Sequence, residues 1–575
     1  MRLSALAADL PHRRAGAPGD PEVLGVTHDS RAAQQGTLFA ALPGLKTDGR
    51  RFVADAVARG AVAALGLAPA PAAAAVPYLE VENPRRSAGL VASLLAGRPS
   101  ERLVMAAVTG TSGKTTTTYL LDRLLAGRHE KRGFFGTIVY RGAGGKAAEI
   151  PAPHTTPEAT ALQPMLAALV AEGGTAAIME CSSHALVLDR VAGCSFDVAV
   201  FLNLSREHLD FHRDMDDYFE AKVRLFSLLK PGGKAVVNLG DEYGRKLASR
   251  LPAKSTIGFF LEGEEGVEQT RPAALAGAVA AATAATAATA ATGGGLLATV
   301  VGRATLTTTG TRLEVSVPAS FTFEENAPSP GAPPRQESTA GTRSPFEENT
   351  NAPQAPLKVQ KPNQTKAPLT VDSPLLGRPN AENLLAAAAT GLVLGLSPGE
   401  IVAGLGAVTS VPGRLESVPN ALGFTVLVDY AHKPAALEGA LTTVRSIAAA
   451  RGGRVIAVFG CGGDRDKGKR PEMGRIAARL ADLVVVTSDN PRSEDPEAIL
   501  RDVRAGVEAE GKIARYVADR RQGLAEAFAL ARAGDVVLVA GKGHETYQVV
   551  GGRRLPFDDR LVAKELLERH AGAAR

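Results

Sequence analysis

An α/β protein of three domains is what this sequence predicts, on three observations. At 575 residues the chain is too long to fold around one hydrophobic core. Apolar runs of strand length alternate with helix-like stretches in two separate regions, the pattern of parallel sheets covered by helices. Where one such run gives way to a helix stands the glycine-rich turn TGTSGKTTTT, which can close backbone N–H groups around phosphate.

The first unit, residues 1–100, is expected to be a small α/β domain. Its ordered part runs from about Val23 to Val81, with THDSR at Thr27–Arg31, then GTLFAALPGLKTDG ending at Gly49, then an Ala-rich helix from near Arg51. The second unit, residues 101–411, opens on the strand Leu103–Val108 and passes through the glycine-rich turn into a helix over Lys114–Leu125. Strand-like runs at Ala176–Met179 and Val198–Asn203 complete the expectation of a parallel sheet. In the third unit, residues 412–575, apolar runs at Phe424–Val428, Val455–Phe459, Leu483–Thr487 and Val536–Val539 predict a Rossmann-like, doubly wound sheet. Its ligands should sit at the carboxyl ends of the strands.

Inside the second unit the composition changes abruptly. Ala280–Thr292 is a period-three Ala-Ala-Thr tract, and from about Pro318 to Pro368 the chain is rich in Pro, Asn, Ser, Thr and Gln, with FEEN at Phe323 and again at Phe346. Such a segment buries too little apolar surface to offset its ordering entropy. It predicts a disordered insertion between two strands, Thr305–Val315 and Leu369–Val371. The repeated FEEN reads either as a docking motif or as a duplicated low-complexity fragment.

Bulk composition excludes several classes. Hydrophobic content of 45% and charged content of 22% are ordinary for a globular protein. A net charge of +5 is small for this length and argues against a nucleic-acid binder, while still helping to gather anionic nucleotides. Cys181, Cys194 and Cys461 form no C-x-x-C pair and read as reduced cytosolic thiols. No apolar run follows Arg13-Arg14, so no secretory signal is expected, and Ala273–Thr292 is too weakly apolar to span a membrane. The expectation is a cytoplasmic monomer with no membrane insertion.

The phosphate turn supplies the first chemistry. Gly110, Thr111, Ser112 and Gly113 would wrap the phosphates of ATP, Lys114 would neutralise the terminal ones, and Thr115, followed by Thr116, would reach Mg²⁺. The strict Walker pattern requires a glycine five residues before Gly113, where this chain has Val108, so the loop is a shortened one. Taken singly, other polar residues read plainly. Glu180 is a surface carboxylate at a strand end, His208 a loop histidine, Lys222 a solvated helix lysine and Ser30 a turn or N-cap serine.

In chain order follow MECSSHAL (Met179–Leu186), NLSREHLDFH (Asn203–His212), YFEAK (Tyr218–Lys222), GRPNAEN (Gly377–Asn383) and PGRLE (Pro412–Glu416). Then come DYAHKP (Asp429–Pro434), GCGGDRDKGKRPEMG (Gly460–Gly474), SDNPR (Ser488–Arg492) and GKGHE (Gly541–Glu545). With the phosphate loop this ordered set resembles the Mur ligase superfamily over all of the chain except the low-complexity insertion.

The resemblance implies roles. Thr115, Glu180, His208 and Lys222, the last as a carbamylated lysine, would hold Mg²⁺. Asn383, Arg414 and Asp429 would complete the ATP site, with a structural Arg414–Asp429 ion pair as the plain alternative. Ser30, Leu45, Lys46 and Thr47 would take the uridine end of a UDP-N-acetylmuramoyl-L-alanyl-D-glutamate substrate. His154, Thr155, Thr156, Ser182 and Arg190 would take its muramoyl-peptide end, and His28 and Leu188 fall at positions where the family varies. Arg465, Asp489, Asn490, Pro491, Arg492, Gly541 and Glu545 would bind the incoming amino acid, meso-diaminopimelate.

The implied reaction is ATP-driven acylation: the D-glutamate γ-carboxylate takes the γ-phosphoryl group, and the amine displaces phosphate from the acyl phosphate. Lys114, Arg414 and Mg²⁺ would offset the developing charge. The alternatives are a lysine-adding relative, a folylpolyglutamate-type ligase, against which SDNPR and GKGHE argue, and a nucleotide-dependent scaffold protein.

Overall fold

The computed structural model describes residues 1–44, 47–72, 74–142, 144–145, 149–262, 298–318 and 368–573. Leu45 and Lys46, the Ala-Ala-Thr tract and nearly all of the Pro318–Pro368 segment lie outside the described residues.

Three sheets organise the chain. The first contains β1 (Arg13–Gly16), β2 (Gly25–Thr27), β3 (Thr37–Ala41), β4 (Ala61–Gly66) and β5 (Pro77–Glu80) in the order β1-β5-β4-β3-β2. Only the edge pair β1–β5 is antiparallel. The period-two side-chain alternation of a strand sorts β3 between two cores: Leu38 and Ala40 join Leu65 on one face, Phe39 and Ala41 join Tyr78 on the other. The helix Pro84–Leu95, capped by the Asn83 side chain on Arg86 N–H, docks this unit on the next. A Cβ at Gly89 would stand 2.7 Å from that of Ala192 and 2.9 Å from that of Ala159, so the close approach requires glycine.

The second sheet holds β6 (Val104–Thr109), β7 (Arg132–Phe135), β8 (Val139–Arg141), β9 (Ile150–Pro151), β10 (Ala176–Glu180), β11 (Phe196–Phe201), β12 (Leu229–Asn238), β13 (Thr256–Leu261), β14 (Ala298–Leu306), β15 (Thr311–Ser316) and β16 (Leu369–Ser373). Their order is β16-β15-β14-β13-β12-β11-β6-β10-β7-β8-β9. Pairing is parallel from β14 to β7 and antiparallel beyond either end, so the expected parallel sheet is in fact mixed. The single strand expected over Thr305–Val315 is also corrected. β14 ends at Leu306, and a turn closed by Thr307 N–H on the Gly310 carbonyl (2.9 Å) reverses the chain into β15. Gly310 after three threonines is the turn signal that the β-branched composition hid.

β6 lies between β10 and β11, so the loop at its carboxyl end opens at the middle of the sheet. Two helices, Lys114–Leu125 and Arg378–Val393, pack on one face. Leu384, Leu385 and the run Ala386–Ala389 are fully buried against Leu120, Leu121 and Leu124.

The third sheet runs β17 (Glu416–Ser417), β18 (Thr425–Asp429), β22 (Val536–Ala540), β19 (Val455–Phe459), β20 (Leu483–Thr487), β21 (Arg515–Val517), parallel except at β17. A hairpin, β23 (Tyr547–Val550) and β24 (Arg553–Pro556), follows. Among the described residues no helix is long and apolar enough to cross a membrane, and all three cysteines are free and buried.

β15 and β16 are paired neighbours with Val315 opposite Leu369, so a short turn suffices to join them. Replacing residues 319–367 by a Gly-Ser turn is expected to leave steady-state phosphate release within about twofold of wild type, since closure entropy grows slowly with loop length. A large loss of turnover in the purified, folded variant would place that segment in the catalytic machinery.

Candidate active site between the second and third sheets

The loop after β6 is shaped by two glycines with positive φ, Gly110 at 155° and Gly113 at 85°. A Cβ on Gly113 would stand 2.3 Å from Asn383 Oδ1, so Asn383 seals the turn from the far helix. Asn383 also accepts from Thr117 Oγ1 at 3.2 Å. Asn203 braces the other side, its carbonyl accepting from Thr111 N–H and its Oδ1 from Ser112 N–H, both at 2.9 Å. Lys114 begins the helix, with Thr115 and Thr116 buried in its first turn, and donates to the Gly110 and Thr111 carbonyls at 2.8 and 3.0 Å. Burial pushes its ammonium below the ordinary lysine value, against the pull of Glu180 and Glu207.

Glu180, at the end of β10, is fully buried rather than a surface carboxylate. Its Oε2 accepts from Thr115 Oγ1 at 3.1 Å and Thr137 Oγ1 at 3.0 Å, and its Oε1 from Thr137 N–H at 2.8 Å. Lys222 is likewise not a solvated helix lysine. It is 1% exposed and donates to the Gly110 carbonyl at 2.8 Å, with its ammonium 4.5 Å from the Tyr218 ring centroid. Burial, then Lys114, drives its pKa well below the ordinary value. His208, at φ 57°, stands 3.5 Å from Glu207, and burial and Lys433 lower its pKa to about 4. It therefore carries a free nitrogen lone pair at neutral pH.

Hydroxyl, carboxylate and neutral imidazole suit a hard divalent cation such as Mg²⁺. Lys222 suits one only if its amine becomes anionic. Burial favours the neutral amine that such a modification needs.

The third sheet closes over this loop. Arg414 donates from Nη2 to Thr115 Oγ1 at 3.1 Å, its guanidinium lies 5.0 Å from the Tyr430 ring centroid, and its buried Nε has no partner among the described residues. No Arg414–Asp429 ion pair forms among them. Asp429 instead accepts from Leu415 N–H at 2.8 Å and Ala431 N–H at 2.9 Å, and burial raises its pKa. A second tie is the ion pair of Lys433 with Glu207.

Among the described positions expected to hold a nucleotide-linked substrate, one side chain reaches across the junction of the first two domains. His28 Nδ1 meets Thr160 Oγ1 at 3.1 Å across that junction. Ser30 opens a short 3₁₀ turn, but the N-cap is Asp29. Thr47 is exposed, its carbonyl accepting from Gly44 N–H at 3.2 Å. Thr155 Oγ1 lies 3.2 Å from Thr137 Oγ1, Thr156 Oγ1 donates to the Glu180 carbonyl at 2.8 Å, and exposed His154 takes the Tyr140 hydroxyl on its carbonyl. Ser182 caps the helix Ser183–Val187, and Leu188 ends it. Arg190 is engaged by Glu158 at 2.9 Å and the Thr156 carbonyl at 3.1 Å.

Beyond β20 and β22 the amino-acid candidates come together. Asn490 donates to Glu545 at 2.9 Å and accepts from Val549 N–H at 2.9 Å. Fully buried Lys542 lies 3.1 Å from Glu545 and 3.7 Å from Asp489. Burial raises the pKa of Asp489, against the opposing effect of Lys542. Arg492, at φ 55°, spends Nη1 on the Gly463 carbonyl at 2.7 Å, and no other partner of its guanidinium is found among the described residues. The Pro491 carbonyl packs on Gly463, where a Cβ would come within 1.9 Å, and Gly541 (φ 118°) donates to the Asp429 carbonyl at 3.0 Å. Arg465 is exposed and has no ion-pair partner among the described residues.

Sequence reasoning missed Thr137, Glu207, Lys433 and Lys542. Three of them sit inside the quoted motifs; Thr137, in the turn between β7 and β8, carries no local signal.

Residues 22–95 match the Mur ligase family, catalytic domain; residues 108–276 the Mur ligase middle domain; and residues 413–543 the Mur ligase, glutamate ligase domain. The chain is 38% identical over 572 residues to the UDP-N-acetylmuramoyl-L-alanyl-D-glutamate--2,6-diaminopimelate ligase of Solibacter usitatus, covering 99% of this chain and 98% of that protein. It is 39% identical over 581 residues to the protein of the same name from Geobacter metallireducens, covering 97% of each. A solved structure of a ligase with that name is similar at 28% identity and TM-score 0.60, with 99% of both chains covered. A MurF from Acinetobacter baumannii, 19% identical with TM-score 0.54 over 98% of both chains, shares the fold.

Burial first, then nearby cations, hold His432 and His544 neutral in the fold, at pKa values of about 3. The unfolded chain takes up these protons near the ordinary value of about 6.5, so stability is complete above that pH and is lost as pH falls toward 3. Thermal unfolding followed between pH 7 and pH 4 should show this decline. His432→Gln should flatten it by about one proton; an unchanged slope would contradict the assignment.

Proposed function

The chain belongs to the Mur ligase family of ATP-dependent acid–amino-acid ligases, and we propose that it adds meso-diaminopimelate to UDP-N-acetylmuramoyl-L-alanyl-D-glutamate in peptidoglycan biosynthesis. The observation that carries the reading is the Arg414–Thr115 hydrogen bond. It joins the domain bearing the Asp489–Arg492 turn to the phosphate loop, a connection that a reaction of activation followed by amine attack requires. All of the site's groups come from one chain, which suits a monomer. A cytoplasmic location suits its nucleotide substrates.

A carboxylate is a poor electrophile, so it must first be activated. One γ-carboxylate oxygen of the D-glutamate residue attacks the γ-phosphorus of ATP, the bond to the ADP oxygen breaks, and an acyl phosphate forms. Lys114 at the loop and Arg414 from the facing domain offset charge on the transferred phosphoryl group, and hydrogen bonds to the Gly110 and Thr111 carbonyls and to Thr115 Oγ1 already orient them. The amine nitrogen then attacks the acyl carbon, the C–O bond to phosphate breaks, and the amine loses a proton. Thr115, Glu180 and His208 would hold Mg²⁺, which when bound supplies Lewis-acid neutralisation of the phosphates. Lys222 joins that set by adding its neutral amine to CO₂, forming a C–N bond and releasing a proton to give a carbamate.

Selectivity is assigned to Arg492. Meso-diaminopimelate differs from lysine by a distal carboxylate, to which the unspent edge of this guanidinium can offer a charge-assisted pair. Asp489, Asn490 and Glu545 face the ammonium and backbone beside it, with Arg465 at the other end.

Two measurements test this reading. Lys114→Ala should abolish ligation with melting temperature and circular dichroism unchanged; full activity would remove the phosphate-loop assignment. In a competition assay the wild type should prefer meso-diaminopimelate over lysine by roughly 10⁴-fold, because a site built to pair a polar group rejects analogues that lack it. Arg492→Ala should lose most of that preference. Equal use of lysine by the wild type would favour the lysine-adding alternative.

A further inference from the structure

We infer that Arg520 and Asp559, which lie in none of the motifs above, are positioning residues for the amino-acid subsite: they fix the spacing of the Ser488–Arg492 turn and the Gly541–Glu545 loop, and so set amino-acid affinity and selectivity. The inference rests on the ligase reading just given, and it concerns groups that touch no substrate.

Both side chains are 0% exposed. Arg520 opens the helix Arg520–Leu530 and Asp559 the helix Asp559–Ala573. The pair is bidentate, Nε to Oδ1 and Nη2 to Oδ2, each at 2.7 Å. The rest of the fork reaches the sheet: Nη1 donates to the Ser488 carbonyl at 3.2 Å and Nη2 to the Ala540 carbonyl at 3.0 Å.

Those two carbonyls are the significant ones. Ser488 precedes Asp489 and Ala540 precedes Gly541, so holding each oxygen fixes the peptide plane that carries the next residue into the subsite. β20 and β22 are not neighbours in the sheet, because β19 runs between them. No ladder hydrogen bond can therefore tie their ends together, and the guanidinium spans the gap. On the substrate side Asn490 and Glu545 make the corresponding cross-link at 2.9 Å. The two loops are thus pinned from behind by Arg520 and from in front by an amide–carboxylate bond.

Stability alone does not account for the pair. A buried ion pair contributes little net stability compared with well-packed apolar side chains of similar volume, since desolvation offsets its Coulombic attraction. What the apolar replacement lacks is a planar fork with donors in fixed directions, which lysine cannot reproduce either.

The test compares steady-state kinetics of wild type, Arg520→Lys and the double variant Arg520→Met/Asp559→Leu, which leaves no unpaired buried charge. A wild-type amino-acid panel comes first. If the wild type selects something other than meso-diaminopimelate, the substrate reading fails, and the positioning claim is tested on the amino acid it does select. Folded variants should raise KM for the amino acid by at least about tenfold and cut the preference over lysine by a similar factor, as misplacement by a fraction of an ångström does. KM for ATP and for the UDP-linked substrate should stay within about twofold, because the phosphate loop is untouched. A variant that only melts earlier, with KM and preference as in wild type, overturns the proposal. If the double variant does not fold, Arg520→Lys carries the comparison; failure of both to fold assigns the pair to structure alone and also overturns it.

Discussion

One hydrogen bond between domains, from Arg414 to the hydroxyl of Thr115, is what the rest of the active-site arrangement depends on. Thr115 lies in the first turn of the phosphate-loop helix and Arg414 at the entry to the third sheet, 299 residues later in the chain. The second domain alone offers a phosphate loop, and the third alone the Asp489–Lys542–Glu545 cluster beside Arg492. Chemistry that activates a carboxylate and then delivers an amine needs both within one water-excluding space. The Lys433–Glu207 ion pair adds a second connection between the same two domains.

Charge management follows from that closure. Lys114, Lys222, Arg414 and Lys433 converge where ATP phosphates are expected, opposed by Glu180 and Glu207. Cations crowded in a buried space cannot all stay charged cheaply, so burial depresses Lys114 and Lys222 and keeps His208 neutral. The same physics favours the neutral form of the buried Lys222 amine. In the third domain the logic is inverted. Asp489 and Glu545 crowd together with Lys542 buried against them, and Arg520 with Asp559 forms a neutral clamp behind.

Much of this was legible in the sequence because the relevant signals are local. Strand-length apolar runs located β6, β10, β11, β18, β19, β20 and β22 to within a residue or two, since fully buried parallel strands need continuous apolar stretches. The phosphate loop was legible because glycine, lysine and threonine must stand at fixed spacing there. The antiparallel flanks were legible only in part: Leu369–Val371 falls within β16, but the run Thr305–Val315 joins the end of β14 to β15, because the threonines before Gly310 favour extended backbone up to the turn. Burial of Lys222 was invisible as well, since a lysine near a helix end looks solvated until Tyr218 and the phosphate loop close over it. Arg520 and Asp559 meet across 39 residues of chain, at the starts of two helices, and no spacing rule connects them. Leu45 and Lys46 lie outside the described residues, so their expected uridine contact rests on the family pattern alone.

Arg414 thus holds the second and third domains together around the phosphate loop. The most direct measurement is the distance distribution between spin labels at two exposed sites, Arg213→Cys in the second domain and Ile513→Cys in the third, recorded with ATP and the UDP-linked dipeptide. One narrow distribution is expected in the otherwise wild-type protein, and a broadened or longer one when Arg414→Ala is added. Identical distributions with and without Arg414 would contradict it.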